Sequence, residues 1–331
     1  MEIKEVTNKN EWGYKQEFLQ SWDYGEFLKS VGRDIRRIQI EEKGIKKLQI
    51  QYIFVSLPFK ISYVYIPWAY IPEEIFTDIL HYFKKQHVSF VRAELLNECV
   101  TKKYKQISTP NIQVRNTWIL DITKSQKELL ENMHAKTRYN IGLAQRKDVA
   151  VDHIKNIDLF WKLNMITTQR NQYQSHPKIY CEKLLALPNT YQINAYSNGT
   201  PIACVILFKY DKTLYYFIGA SSNEYRNSMA PYLLQWEAMQ LGQRLNCTTY
   251  DFWGMAPPAK EGSGKESCYH GYCWQADHNL TGVARFKAGF SGALKSYPDA
   301  QEIILNKRSY YFFKIIRMLR KKRAKAGHPL S

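Results

Sequence analysis

Three groups of residues in this chain have the types and spacing to do chemistry. Arg226, Asn227 and Tyr232 lie at the entrance to a helix expected to begin near Pro231, where unpaired backbone N–H groups and the helix dipole favour an anion. His134, Lys136, Arg138, Arg146 and Lys147 crowd the polar faces of another helical stretch, and such clustering suits a polyanionic ligand. Cys268, His270, Cys273 and His278 are metal-ligating types, but their spacing, C-x-H-x2-C-x4-H, fits neither a zinc finger nor a zinc knuckle. Free thiols in a flexible insertion are the expectation there, with no metal.

These residues need elements to hold them. Apolar and aromatic runs at Lys47–Leu57, Lys60–Pro67 and Val88–Glu94 read as strands, with a helix from Pro72 to Lys85 between the last two. The polar stretch Lys105–Gln113 reads as a loop and a domain boundary, followed by a strand in RNTWILDI. Ser125 with Glu128 forms a capping box that opens one continuous helix, with Leu130, Met133, Thr137, Ile141 and Ala144 on a stripe. A helix at Ile157–Asn171, four dense strands from TYQINAY to TTYDFWG, and a helix from about Pro231 to Asn246 complete a second α/β unit.

At 331 residues the chain suits two domains of ordinary size. The net charge of +17 favours RNA, phosphates or an anionic membrane face as partners. Lys314, Arg317, Arg320, Lys321, Lys322, Arg323 and Lys325 concentrate part of that charge in SYYFFKIIRMLRKKRAK, which has the make-up of a basic amphipathic helix over 309–325 able to touch an anionic membrane or RNA. Scattered cysteines, and the lack of a signal-peptide core in MEIKEVTNKNEW or of a membrane-length apolar run, point to the cytoplasm. That leaves room for a peripheral place on the inner membrane face.

Five strings, in order, carry a family resemblance: SWDYGEFLKS (Ser21–Ser30), MHAKTRYNIGLAQRKDVAV (Met133–Val151), GASSNEYRNSMAPYLLQWEAM (Gly219–Met239), YDFWG (Tyr250–Gly254) and RFKAGFSG (Arg285–Gly292). The chain resembles the FemABX family, aminoacyltransferases that move an amino acid from aminoacyl-tRNA to a peptidoglycan precursor. The resemblance implies an α/β fold of two GNAT-like domains, each a central mixed sheet flanked by helices. The acceptor-binding domain would comprise 1–112 with 299–331, and 113–298 would form the donor side. No long heptad stretch is present, so the chain looks like the compact type without the family's coiled-coil arm.

It further implies an acceptor that is UDP-MurNAc-pentapeptide or lipid II, aminoacyl-tRNA as donor, and no cofactor, since an activated ester needs none. Phe286 and Lys287 align with the Phe-Lys pair at the family's reaction centre, Lys287 on the ester carbonyl or the tRNA end and Phe286 positioning. Glu94 stands where the family tends to have an acidic residue facing the acceptor, as proton acceptor or amine-orienting group. Lys29 resembles a lysine that meets the acceptor's diphosphate. In SHPKIY, Tyr180 fits a family tyrosine while His176 replaces an arginine, exchanging a charged fork for one hydrogen bond; Lys178 is a candidate to compensate. Lys136, Arg138, Arg226, Asn227 and Tyr232 join the substrate-binding set. Acetyl-CoA-dependent relatives on this fold use a glycine-rich pyrophosphate loop, and NEYRNSMAP has no glycine, which counts against the alternative of an acyl-CoA-dependent N-acyltransferase. Charge alone would also suit a non-catalytic RNA- or membrane-binding protein, but would not produce the ordered motifs.

Overall fold

The computed structural model describes residues 1–13, 16–172, 174–259 and 264–325, with side chains as far as 319. The chain forms two compact units, Met1–Gln113 with Tyr297–Ser331, and Val114–Ser296. Each is a mixed α/β unit around one seven-stranded sheet.

The first unit begins with β1 (Glu2–Glu5) and α1 (Trp22–Ser30), then the antiparallel run β2 (Asp34–Glu42), β3 (Ile45–Leu57) and β4 (Ile61–Ala69). Next, α2 (Glu73–Lys85) crosses to β5 (Phe90–Leu95), which lies parallel to β4. The crossover works because Ile75, Phe76, Ile79, Leu80 and Phe83 line one face of α2 and are buried against the sheet, as helical periodicity requires. Lys105–Ser108, expected to be loop, is the edge strand β6.

In the second unit, β7 (Asn116–Asp121) leads to α3 (Gln126–Asn132), α4 (Ala135–Arg146), β8 (Ala150–Asp152), α5 (Ile157–Asn171) and α6 (Lys178–Leu185). The antiparallel strands β9 (Thr190–Ser197), β10 (Thr200–Tyr210) and β11 (Thr213–Ser221) follow, and α7 (Ala230–Arg244) crosses to β12 (Thr249–Gly254), parallel to β11. A hairpin, β13 (Glu266–Tyr269) and β14 (Tyr272–Gln275), then α8 (Thr281–Ala288) and β15 (Ala293–Ser296), finish the unit. The chain then returns to the first sheet, where β16 (Gln301–Ile304) fits between β5 and β6, and ends its described part in α9 (Lys307–Lys325).

The sheet orders are β1-β2-β3-β4-β5-β16-β6 and β15-β7-β12-β11-β10-β9-β8. Each therefore combines an antiparallel run, one helical crossover and one parallel pair, the GNAT-like arrangement. Position by position the two sheets correspond.

Two further expectations need correction. The helix opened by the Ser125–Glu128 capping box is present but does not run through Arg146. It breaks at Met133–His134, because the His134 N–H donates to the Gly289 carbonyl at 2.9 Å and His134 Nδ1 accepts the Lys136 N–H at 3.1 Å, starting a new helix. The second concerns the cysteines. Cys268 and Cys273 face each other in the β13–β14 register and form a disulfide, so they are not free thiols. Cys99, Cys181, Cys204 and Cys247 are free and buried, and among the described residues no His/Cys/Asp/Glu group could hold a metal.

Candidate active site

The parallel pair of the second sheet is short. β11 and β12 are paired only from Thr213–Thr249 to Tyr215–Asp251. Beyond that point an extra residue bulges β11 near Phe217, where the register to β10 shifts, and β12 turns through Trp253 at φ 64° to rejoin β7 at Gly254. The strands splay, and their backbone groups are left for something other than each other. A pocket of about 600 Å³ occupies the opening, with Tyr216, Phe217 and Gly219 on one side, Trp253 and Gly254 on the other, and Phe286, Lys287, Ser175 and His176 closing it.

Lys287 lines this pocket. It lies in the last turn of α8, and its side chain is buried, with a residue exposure of 5%. Its Nζ donates to the Gly254 carbonyl at 2.5 Å and lies 5.6 Å from the centre of the Tyr216 ring. A solvated lysine beside a loop would have neither property. Burial lowers its pKa to about 7, while the buried Asp251 carboxylate pulls in the opposite direction. Asp251 is itself fixed by the Trp253 N–H at 2.7 Å. An amine so placed is available in both protonation states near neutrality.

Glycines of the motifs make the approach possible. A Cβ on Gly219 would stand 1.9 Å from the Tyr216 hydroxyl, so only glycine lets that ring lie beside Lys287. At Gly289 a Cβ would meet Thr137 Oγ1 at 2.4 Å, and at Gly292, φ 119°, the Ile119 carbonyl at 2.6 Å. The RFKAGFSG string thus seats α8 against α4 and β7.

Around Lys287, Phe286 is half-buried and packs edge-on against Tyr232 at 4.9 Å between ring centres. Tyr232 is half-buried and packs against Phe286, which lines the pocket. His176 stacks on Tyr180 at 4.0 Å and 15° and lines the same pocket. Lys178 is ion-paired with Asp158 at 2.5 Å, which engages the side chain expected to compensate for the missing arginine. Arg226 is exposed in the turn before α7, the Asn227 carbonyl accepts from Lys147 Nζ at 2.7 Å, and the helix is capped by Met229 in a left-handed conformation. On α4, Lys136 is exposed, whereas the Arg138 guanidinium donates to the carbonyls of Leu130, Glu131 and Met133 and so caps the end of α3.

The other two candidates belong to the first unit. Lys29, exposed at the end of α1, pairs with Glu26 at 3.0 Å and lies 5.9 Å from the Trp22 ring. Beside it is a residue that sequence reasoning missed. Arg37 is buried, stacks on Trp22 at 3.7 Å and shares Glu26 with Lys29, at 2.8 Å. Gly25 makes this possible, since a Cβ there would lie 2.3 Å from the Arg37 guanidinium.

Glu94 is buried, and its oxygens accept from the Ile112 and Gln113 N–H groups at 2.5 and 2.8 Å and from the Tyr65 hydroxyl at 3.1 Å. Burial raises its pKa, partly offset by those donors. Asp251 and Tyr216 were also missed. Asp251 sits inside YDFWG, where a carboxylate in an apolar strand is the signal that could have found it.

Comparison with known proteins fits this geometry. The model of the FemAB family matches residues 187–318, a span that includes β11, α7, β12 and Lys287. A crystal structure of FemX superposes with a TM-score of 0.76 at 18% identity, covering 94% of this chain and 99% of that one. The C-terminal domain of a putative lysylphosphatidylglycerol synthetase from Agrobacterium fabrum gives 0.54 at 11% identity, over 86% and 87% of the two chains. L-PGS from Bacillus licheniformis gives 0.52 at 12%, over 87% and 93%. No curated protein sequence matches the chain. The FemAB family model thus matches the segment that carries the pocket, and along nearly its whole length the chain has a fold similar to that of FemX.

Proposed function

We propose that this protein transfers an aminoacyl group from aminoacyl-tRNA to the stem-peptide amine of a peptidoglycan precursor, UDP-MurNAc-pentapeptide or its lipid-linked form, building the interpeptide bridge. The observation that carries the reading is the buried Lys287 amine, held by the Gly254 carbonyl in a pocket opened by splayed strands. In the reaction the acceptor nitrogen bonds to the ester carbonyl carbon, the carbonyl oxygen takes up negative charge, and the bond to the ribose oxygen then breaks. The proton lost by the amine ends on that leaving oxygen. A protonated Lys287 stabilises the oxyanion, and a dry pocket makes its charge count for more than it would in water.

Phe286, held by Tyr232, positions the ester. In the first unit Lys29 with Arg37 offers cations for a diphosphate; in the second, His176 with Tyr180 offers a polar contact in the Lys287 pocket, and Lys136 and Arg226 offer basic contacts for the donor RNA. Glu94, whose oxygens already accept three hydrogen bonds, keeps an orienting role for the acceptor amine, which reacts in its neutral form after losing its ammonium proton to solvent, rather than a proton-accepting one. A CoA donor is disfavoured because a left-handed methionine, not a glycine-rich turn, precedes α7.

The test is to incubate the protein with pools of charged tRNA and each precursor and read product masses. The reading requires a precursor heavier by one aminoacyl residue only when charged tRNA is present. Transfer from CoA thioesters with none from any aminoacyl-tRNA would overturn it.

A further inference from the structure

We propose that α9 and the β3–β4 turn together form a docking face for an anionic lipid surface. The inward side of α9 is already committed. Tyr310 is buried and donates to Glu302 at 2.7 Å, Lys314 pairs with Glu302 at 2.7 Å, and Phe313 stacks on Phe90 at 5.3 Å. The helix nevertheless carries a second apolar stripe, Tyr311, Phe312, Ile315, Met318 and Leu319, and all five are exposed. That spacing marks one continuous helical face, and a helix apolar on both faces lacks a partner on one of them.

The β3–β4 turn adds to the stripe at a cost. Phe59 and Lys60 both have positive φ, 65° and 56°, in the three-residue hairpin turn Pro58–Lys60, where glycine is the usual occupant of a left-handed position. A bulky residue in the left-handed region is strained, and such strain concentrates at functional positions. Phe59 is 69% exposed and meets Phe312 edge-on at 5.4 Å. Between turn and helix runs a groove of about 80 Å³ lined by Leu57, Pro58, Ile61, Phe313 and Ile316.

Charge identifies the occupant. Lys60, Lys105 and Arg317 border the patch, Lys105 donating to the Tyr311 hydroxyl at 3.2 Å. The sequence continues through Arg320, Lys321, Lys322, Arg323 and Lys325, and no Asp or Glu occurs from Ile303 to Ser331. Apolar side chains ringed by cations match the acyl boundary and headgroups of an anionic bilayer. RNA would engage the cations but has no use for Ile315, Met318 and Leu319. Pairing with a second copy would bring two cationic faces together. Docking is independent of the transfer reaction, and its failure leaves that reading intact.

The test is sedimentation of the full chain with phosphatidylglycerol-rich vesicles and with pure phosphatidylcholine vesicles. Binding should be confined to the former and should weaken with salt. The exposed apolar variant Phe59→Ser/Ile315→Ser/Leu319→Ser should lose about tenfold or more in affinity at unchanged melting temperature. Lys60→Ser and Arg317→Ser should each lose about fivefold. Wild-type affinity in the apolar variant, tRNA binding without vesicle binding, or a dimer abolished by the same three substitutions would each overturn the proposal.

Discussion

Lys287 shows what a sequence can and cannot disclose about a single residue. Its place in RFKAGFSG marked it as a candidate, but nothing local predicted that α8 would bury it, because the Gly254 carbonyl and Asp251 that surround it come from a strand more than thirty residues earlier. Burial has two measurable consequences. The folded pKa of about 7 lies below the ordinary 10.5, so between those values the unfolded chain binds more protons and stability rises with pH. Thermal unfolding of Lys287→Met should lack that rise and should exceed the wild type in stability below pH 7; parallel melting curves at every pH would show that the lysine is not desolvated. Turnover of the wild type should increase up to about pH 7 and then flatten, since the gain in free acceptor amine offsets the loss of lysine charge. Lys287→Met should keep rising. Arg37 was illegible for a different reason: its role depends on Gly25 leaving room across two elements.

At the scale of elements, periodicity was a sound guide wherever one face of a helix meets one sheet. The helices over 73–85 and 157–171 fall where the apolar spacing puts them. It failed where a distant backbone decides. The break at His134 depends on the Gly289 carbonyl, the strand at Lys105–Ser108 on β16 arriving from residue 301, and the Cys268–Cys273 bond on hairpin register. Gly292 is the sharpest test of this tertiary dependence. A methyl there would meet the Ile119 carbonyl and hold a left-handed φ, so Gly292→Ala should cost about 2 kcal/mol or more, read as a lowered denaturation midpoint. A neutral substitution would mean that β15 and β7 do not approach as described.

For the whole molecule, two units of one topology were readable from the alternation of strands and helices and from the motif order, and the FemX-like superposition agrees with that class. The strand exchange was not readable. β16 sits between β5 and β6, so the first sheet is incomplete without residues that follow the second unit in sequence. Deleting 297–331 should therefore unfold the first unit, seen as loss of its cooperative transition and of slow amide exchange. Deletion from Lys314 would be a poor probe of the basic segment, because it strips the buried Glu302 of its 2.7 Å ion-pair partner; truncation after Leu319 spares that pair.

The central claim, that the Lys287 pocket performs aminoacyl transfer, is tested most directly by single-turnover transfer from aminoacyl-tRNA to the precursor with both substrates saturating. Lys287→Met should be slower by roughly 10²–10³, the scale of one lost oxyanion donor, with acceptor affinity little changed. Equal rates in wild type and a folded Lys287→Met protein would contradict the account.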